Sequence, residues 1–325
     1  MAVYTKLEEK DISEILEDYS IGKLEKFDPI EEGVENTNYK ILVNKKKYIL
    51  TIYEKRVDKK DLPFFCNLTT ELHKRNFKCP LPIKNKKNQM ISDFLNKKLT
   101  ILSFIEGESK ISLNENESYK VGLETSRLHS ITGNINLYRK NSLSIESWQK
   151  IFEEIKLIYK NKNDFKLKFI EDNLDKIKIN WPKNLPKGII HGDIFIDNII
   201  FQDDNINGII DYTFACNDFL ALDIAICLNA LCFEKIGDNY NFNILNAKNF
   251  LKGYIKNRSL EKNEIENLHL LCQGAAMRFL LTRLFDSINQ NDDAFVKIKD
   301  PIEYIKKLEY FNNDKDLVSK IFDEI

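Results

Sequence analysis

Ile189-Ile190-His191-Gly192-Asp193-Ile194-Phe195-Ile196-Asp197-Asn198-Ile199-Ile200-Phe201 breaks from its helical surroundings. A polar turn follows at Gln202 to Asn205, and Ile206-Asn207-Gly208-Ile209-Ile210-Asp211-Tyr212 returns to β-branched text. The pattern predicts a loop followed by two short strands. Three polar residues stand at fixed places: Asp193, Asn198 five positions later, and Asp211 eighteen after Asp193. A hairpin returns the end of its second strand beside the start of its first. Asn198 and Asp211 are thus expected at one point, with Asp193 on the adjoining loop.

Outward from this patch, the text before Gly107 alternates between strand-like and turn-like. Lys40-Ile41-Leu42-Val43 and Tyr48-Ile49-Leu50-Thr51-Ile52-Tyr53 read as two strands joined by a turn from Asn44 to Lys47, since β-branched and aromatic residues suit a pleated surface. Phe27 to Val34 supplies a third strand entering a turn, and Leu99 to Ile105 a further sheet element that Glu106-Gly107 ends. Within Asp61 to Lys74, Leu62, Phe65, Leu68 and Leu72 recur near helical spacing, and Pro80 and Pro82 then interrupt the chain. From Leu113 the text turns helical. Glu117 to Ser130 is one helix, and Ile145 to Tyr159 is another, with Trp148, Ile151, Phe152, Ile155 and Ile158 in one apolar stripe. Lys160 to Lys187, dense in Lys, Asn and Asp, reads as a solvated face or a helix connection without a binding role. The expected organisation is α+β, with a small strand-rich front (1–102) and a larger, mainly helical back (108–325), divided near Phe104 to Gly107. A ligand cleft is expected at the joint.

Composition narrows the function. The 325 residues carry 49 Lys and Arg against 50 Asp and Glu, a net charge of −1. Without a basic excess the chain lacks the electrostatic footprint of nucleic-acid or anionic-membrane binding, so small molecules are the expected partners. Cys66, Cys79, Cys216, Cys227, Cys232 and Cys272 contain no C-x-x-C pair, which argues against zinc and a disulfide framework and for small buried hydrophobes. The charged N-terminus lacks the apolar core of a secretory signal, and the longest apolar run, Phe219 to Phe233, is interrupted by Asp223 and Asn229. A cytoplasmic setting is expected. Oligomeric state is left open.

The trio of Asp193, Asn198 and Asp211 suits phosphoryl transfer: two oxygen ligands hold Mg²⁺ on a nucleotide's phosphates while a separate carboxylate orients a hydroxyl and takes its proton. His-x-Asp-x-x-x-x-Asn, followed by a hydrophobic strand ending in Asp, is the protein-kinase order of parts, with Gly192 where those enzymes usually carry Arg. Control through activation-loop phosphorylation is therefore not expected. No G-x-x-x-x-G-K-[ST] occurs, which argues against a P-loop kinase. On these residues the chain resembles the aminoglycoside phosphotransferase-like kinases and, within them, the bacterial homoserine kinases of that fold. The resemblance spans nearly the whole chain, through Gly33 to Tyr39, Tyr48 to Arg56, Asp61 to Phe65, His191 to Asn198, Asp211 to Asp218 and Leu222 to Ala230. His-Gly-Asp alone reaches only the superfamily. Tyr212-Thr213-Phe214-Ala215-Cys216-Asn217-Asp218 and Glu35-Asn36-Thr37-Asn38 are what point to homoserine.

The resemblance implies a two-lobed protein-kinase-like fold, with a small antiparallel-sheet N-lobe that binds nucleotide (1–102), a hinge (103–107) and a larger, mainly helical C-lobe that carries catalysis and substrate (108–325), and it implies ATP-dependent phosphorylation of the L-homoserine side-chain hydroxyl to O-phospho-L-homoserine, on the path to threonine. It implies Asp193 as catalytic base and Asn198 and Asp211 as Mg²⁺ ligands. Backbone of Ser103, Phe104 and Ile105 is implied at the adenine, and the turn through Gly33, Val34, Asn36, Thr37 and Asn38 over the phosphates. Asp223 is implied as a brace of the catalytic loop. One departure stands out: Thr51 occupies the strand position where many kinases carry lysine, and threonine cannot neutralise phosphate charge. Lys55 or Arg56 could reach in, and Glu71 is the matching helix carboxylate.

Homoserine is a zwitterion, so its site calls for a cation. Arg278 and Arg283 lie on the otherwise apolar stretch Gly274 to Leu284, where a carboxylate is a bidentate match for a buried guanidinium. The alternative for each is an intramolecular ion pair with Asp286 or Glu303. Asn36, Tyr212 and Asn217 are further substrate-binding candidates. His191 is expected to order the loop by hydrogen bonds rather than to titrate, and His129, near a helix end, to be structural. Asp223, near the start of an apolar helix, also suits capping and the helix dipole, and Gly33 also fits an ordinary turn. Two other functions stay open: a kinase of choline, ethanolamine, methylthioribose or an aminoglycoside, which calls for acidic and aromatic pockets, and a nucleotide-binding module without catalysis, favoured by Thr51 alone.

Overall fold

The computed structural model describes residues 5–30, 36–54, 58–159, 165–289, 299–322 and 325. Gly33, Val34, Lys55 and Arg56 lie outside the described residues. The chain divides into two compact units, one running to Glu106 and taking in Gly208–Thr213, the other comprising Gly107–Asn207, Phe214–Asn289 and Lys299 onward.

The first unit holds α1 (Glu9–Glu17), β1 (Leu24–Ile30), β2 (Thr37–Val43), β3 (Lys46–Tyr53), α2 (Leu62–Lys74), β4 (Ser92–Phe94) and β5 (Lys97–Ser103). Its strands form one antiparallel sheet in the order β1-β2-β3-β5-β4. The β2–β3 and β4–β5 hairpins each turn on two residues of positive φ, Asn44 and Lys45 (46° and 62°) and Leu95 and Asn96 (46° and 61°). Such two-residue turns match the right-handed strand twist, which is why the first is tighter than the four-residue turn read from the sequence. Ile41, Val43, Leu50, Ile52, Leu99 and Ile101 form one apolar face against Ile12, Ile15 and Leu16 of α1. Leu62, Phe65, Leu68 and Leu72 of α2 are all buried, as their spacing predicts. Strand β5 stops at Ser103, whose N–H donates to the Leu81 carbonyl at 2.8 Å while its Oγ accepts the Leu81 N–H at 2.8 Å. Phe104 and Ile105 therefore follow as irregular chain rather than as the end of a strand.

The second unit is mainly helical. It comprises α3 (Glu115–Thr132), α4 (Ile145–Ile158), α5 (Phe165–Asn180), β6 (Lys187–Ile190), β7 (Ile199–Gln202), β8 (Asn205–Ile209, which ends in the first unit), β9 (Cys216–Phe219), α6 (Leu220–Leu231), β10 (Phe233–Ile236), β11 (Asn239–Phe242), α7 (Ile244–Tyr254), α8 (Lys262–Ile288), α9 (Ile302–Asn313) and α10 (Leu317–Phe322). The predicted hairpin is β7–β8, turning on Asp203 and Asp204 (φ 48° and 59°). Residues 165–180 form a helix that buries Ile170, Leu174 and Ile177, so the charges there are its solvated face. In α4, Trp148, Phe152 and Ile155 are buried, but Ile158 is 55% exposed because the helix ends there. All of α6 except Ala230 is buried; each large aliphatic so placed stabilises by roughly 1.5–3 kcal/mol, which makes α6 a core helix around which the others pack. Helices α3 and α7 approach closely because a Cβ on Gly122 would meet the Phe250 carbonyl at 1.9 Å and one on Gly253 the Tyr119 carbonyl at 2.0 Å. All six cysteines are buried, and no described helix is long and apolar enough to cross a membrane.

Candidate active site

Strand β6 pairs with β9, Ile190 opposite Cys216, and then releases the chain into a loop at His191. Gly192 takes φ +76°, and a Cβ there would stand 2.9 Å from the Phe214 carbonyl oxygen, so backbone hand and space both select glycine. The Asp193 N–H donates to His191 Nδ1 at 3.3 Å, which makes His191 an organiser of the loop. A single 3₁₀ turn, Ile196–Asn198, brings Asn198 back to Asp193. Its Nδ2 donates to the Asp193 carbonyl at 2.9 Å and to the carboxylate at 3.2 Å. With its amide hydrogens spent there, Asn198 turns Oδ1 away as an acceptor.

The loop is anchored through its peptide groups. The two oxygens of Asp223 accept the backbone N–H groups of His191 and Gly192, each at 2.9 Å. His129 Nε2 lies 3.0 Å from the same carboxylate, His129 Nδ1 lies 2.7 Å from the Tyr254 hydroxyl, and Arg258 donates to that hydroxyl at 3.2 Å and to both oxygens of Glu264 at 2.8 Å. One polarity satisfies every group: Arg258 donates to Tyr254, Tyr254 to a neutral His129, and His129 to Asp223. Burial alone would raise the Asp223 carboxyl, but the hydrogen bond from His129, together with that from the His191 peptide, holds it below the usual carboxylate range. Burial pushes the Tyr254 phenol up, so it stays a donor. Tyr254, Arg258 and Glu264 went unnoticed in the sequence. The only available signal was a Tyr254–Arg258 helical spacing, which many surface helices share.

From the other side, Arg278 of α8 donates to the Gly192 carbonyl at 2.7 Å. It is 2% exposed, its guanidinium lies 4.8 Å from the Phe279 ring centre and 5.5 Å from that of Phe214, and among the described residues neither a carboxylate nor any partner for Nε is present. Arg283 differs. It pairs with Glu303 at 2.6 Å, donates to the Asp300 carbonyl at 3.1 Å and lies over Tyr304. The intramolecular alternative therefore holds for Arg283. Asn217 is also spoken for, since its Oδ1 accepts the Arg139 N–H at 2.8 Å and its own N–H donates to the Arg139 carbonyl at 2.8 Å, stitching that segment to β9. Glu71 pairs with Lys74 at 2.7 Å and Arg75 at 2.5 Å on its own helix, and hydrogen bonds from those two cations hold its carboxyl low. It therefore faces no partner on β3.

In the first unit, Asp211 has φ 61° and is exposed, and its Oδ1 accepts the N–H and the hydroxyl of Thr213 at 3.2 and 2.5 Å. The neighbouring Ile209 N–H is held by the Lys78 carbonyl at 3.1 Å, and Tyr212 is buried. Thr51 donates to Asn38 Oδ1 at 2.8 Å. Asn36 Oδ1 accepts the Glu54 N–H at 3.4 Å, and Thr37 donates to the Glu54 carboxylate at 2.8 Å. Lys97 and Thr5 complete that clamp, at 2.5 and 2.7 Å. Burial raises the Glu54 carboxyl, but these donors more than offset it. Among the described residues, no backbone partner takes the peptide groups of Phe104 and Ile105. Asp211 and Asn198 each present a hard oxygen of the kind Mg²⁺ takes, and among the described residues no three His, Cys, Asp or Glu side chains gather into a cage. Each is an oxygen of the kind that suits an ion whose remaining positions phosphates and water fill.

The chain belongs to the phosphotransferase enzyme family, which it matches over residues 26–251. Within that class it is 42% identical over 317 residues to the homoserine kinase of Bartonella tribocorum, covering 96% of this chain and 97% of that protein. It is also 42% identical over 310 residues to the homoserine kinase of Rhodopseudomonas palustris, covering 95% and 94%. The fold resembles an amicoumacin kinase solved with AMP-PNP and Ca²⁺ (TM-score 0.68, 15% identity, 97% of this chain and 94% of that one). It also resembles choline kinase from Cryptosporidium parvum (TM-score 0.67, 16% identity, 98% and 97%). The protein-kinase-like fold and the phosphotransferase class are those implied by the resemblance.

Proposed function

We propose that this protein is a homoserine kinase that transfers the γ-phosphoryl group of ATP to the side-chain hydroxyl of L-homoserine, giving O-phospho-L-homoserine and ADP, on the path to threonine. The observation that carries this reading is the 42% identity, over 96% of the chain, to a homoserine kinase. The loop geometry supports it. Asp193, steadied by Asn198 and His191, accepts the hydroxyl proton as that oxygen bonds to the γ-phosphorus and the bond from phosphorus to the ADP oxygen breaks. Asn198 Oδ1 and the Asp211 carboxylate are the oxygens assigned to Mg²⁺, which when bound neutralises charge on the phosphates. The unpaired peptide groups of Phe104 and Ile105, beside Ser103, suit the adenine edge. Arg278 is the cation for the substrate carboxylate because its charge meets no carboxylate among the described residues. Asn36 and Tyr212 are further candidates for the substrate.

The test is ADP release from Mg-ATP by the purified protein against L-homoserine, choline, ethanolamine, methylthioribose and kanamycin. Stimulation by homoserine alone is expected. Stimulation by another alcohol in its place overturns the substrate, and silence across the panel with ATP still bound overturns catalysis on these alcohols.

A further inference from the structure

The strand position that carries lysine in many kinases holds Thr51, and three of the cations on this sheet are committed elsewhere, while Lys40, on the same face as Asn38 and two residues along β2, is exposed without an ion pair among the described residues. Lys97 is bound to Glu54 at 2.5 Å, Lys98 to Asp93 at 2.6 Å and Lys47 to Glu106 at 2.8 Å. The helix carboxylate that would partner such a lysine, Glu71, is taken by Lys74 and Arg75. A polar stripe occupies the place instead. Asn38, Thr51 and Thr100 stand directly opposite one another on β2, β3 and β5, on the sheet face away from α1. Thr51 is 6% exposed and Thr100 is fully buried, where strands usually place apolar side chains. Tyr53, two residues along the same face, reaches Thr100 through its hydroxyl at 3.2 Å. Burial raises this phenol, with a smaller contribution from the Asp211 carboxylate.

The stripe orients one group. A carboxamide has one accepting oxygen and two N–H donors. The Thr51 hydroxyl occupies the oxygen of Asn38 at 2.8 Å, and among the described residues Asn38 Nδ2 has no hydrogen-bond partner. Asn38 is half-buried at the start of β2. Resting on the ATP-dependent reading above, we propose that the Asn38 carboxamide, held in orientation by Thr51, donates a hydrogen bond to a phosphate oxygen of the nucleotide in the place of the strand lysine. A neutral donor selects geometry without neutralising charge, and so leaves charge compensation to the metal.

The experiment is calorimetric titration of the full chain with Mg-ADP and, separately, with adenosine, for wild type, Asn38→Ala, Asn38→Asp and Thr51→Val. A hydrogen bond to a charged acceptor corresponds to a loss of about 10- to 100-fold in Mg-ADP affinity for Asn38→Ala. Asn38→Asp, which turns a donor toward phosphate into a carboxylate, is expected to lose more, and Thr51→Val, which only frees the carboxamide, to lose less. Adenosine affinity is expected to be unchanged in all three. Mg-ADP affinity within twofold of wild type in both Asn38 variants overturns the proposal, as does a parallel loss of adenosine binding. No alcohol substrate enters the measurement, so its outcome is separate from that of the homoserine assay.

Discussion

Tyr254→Phe removes one oxygen and leaves the ring that packs between α3 and α7. Two groups lose a partner. His129 Nδ1, 2.7 Å from the hydroxyl, is left unsatisfied where His129 is 2% and Tyr254 0% exposed, while Arg258 loses a 3.2 Å contact but keeps both oxygens of Glu264. A buried group left without a partner costs about 1–3 kcal/mol, so the orphaned acceptor on His129 dominates. At about 2 kcal/mol, and at roughly 2–4 °C per kcal/mol for chains somewhat shorter than this one, Tm falls by at most about 8 °C. Catalysis is affected through the same atom. Without the phenol donor, the imidazole can carry its proton on Nδ1, and Nε2 then turns a lone pair toward Asp223, loosening the carboxylate that grips the His191 and Gly192 peptides. A loss of about threefold to tenfold in kcat corresponds to roughly half to all of 1.4 kcal/mol at the barrier, with KM for both substrates expected to change by less than about twofold because the variant touches neither. Thermal melts, steady-state kinetics and the ¹⁵N shifts of the His129 ring read these effects. A variant with unaltered Tm, kcat and ring tautomer would refute the reasoning that this chain supports the loop.

The two arginines of α8 separate cleanly. Arg278→Met is expected to raise KM for homoserine by about tenfold or more, the worth of a charge-assisted pair, whereas Arg283→Met, whose charge is met by Glu303, leaves it within about twofold; the reverse order in steady-state kinetics would remove Arg278 from the substrate site. Glu303 reports on pH. Burial raises its carboxyl, but Lys307 and Arg283 hold it below the usual range. A carboxyl lower in the folded than in the unfolded state, where it sits near about 4.3, stabilises above that value and loses its contribution as pH falls through the folded value. Glu303→Gln is therefore expected to lower Tm at neutral pH, with the gap to wild type closing below about pH 4; a gap unchanged in acid would mean that the charge is not its source.

Local periodicity carried much of the fold. β-Branched and aromatic residues marked β2 and β3, and apolar spacing marked α2 and α4, because those signals repeat within a few residues of each other. Helix α5 escaped since its surface is Lys- and Asn-rich and its buried face has only Ile170, Leu174 and Ile177. Strand β4 escaped because three residues are too few to show a period. Asp193, Asn198 and Asp211 could be singled out for the same local reason: they stand within one loop and one hairpin. By itself, then, the sequence determined part of the elements, the motif and the chemical class. The tertiary structure decided which polar groups are spent and which are left over. Arg278 and Arg283 sit five residues apart on one apolar helix and look alike in the sequence, yet one meets the Gly192 carbonyl and the other Glu303. His129 and Tyr254, 125 residues apart, become partners only because α3 and α7 pack closely. Thr51 meets Asn38 only through strand register. Burial removes water as the universal partner, so each polar group must be satisfied by whatever the packing brings beside it, and no local pattern records that neighbour.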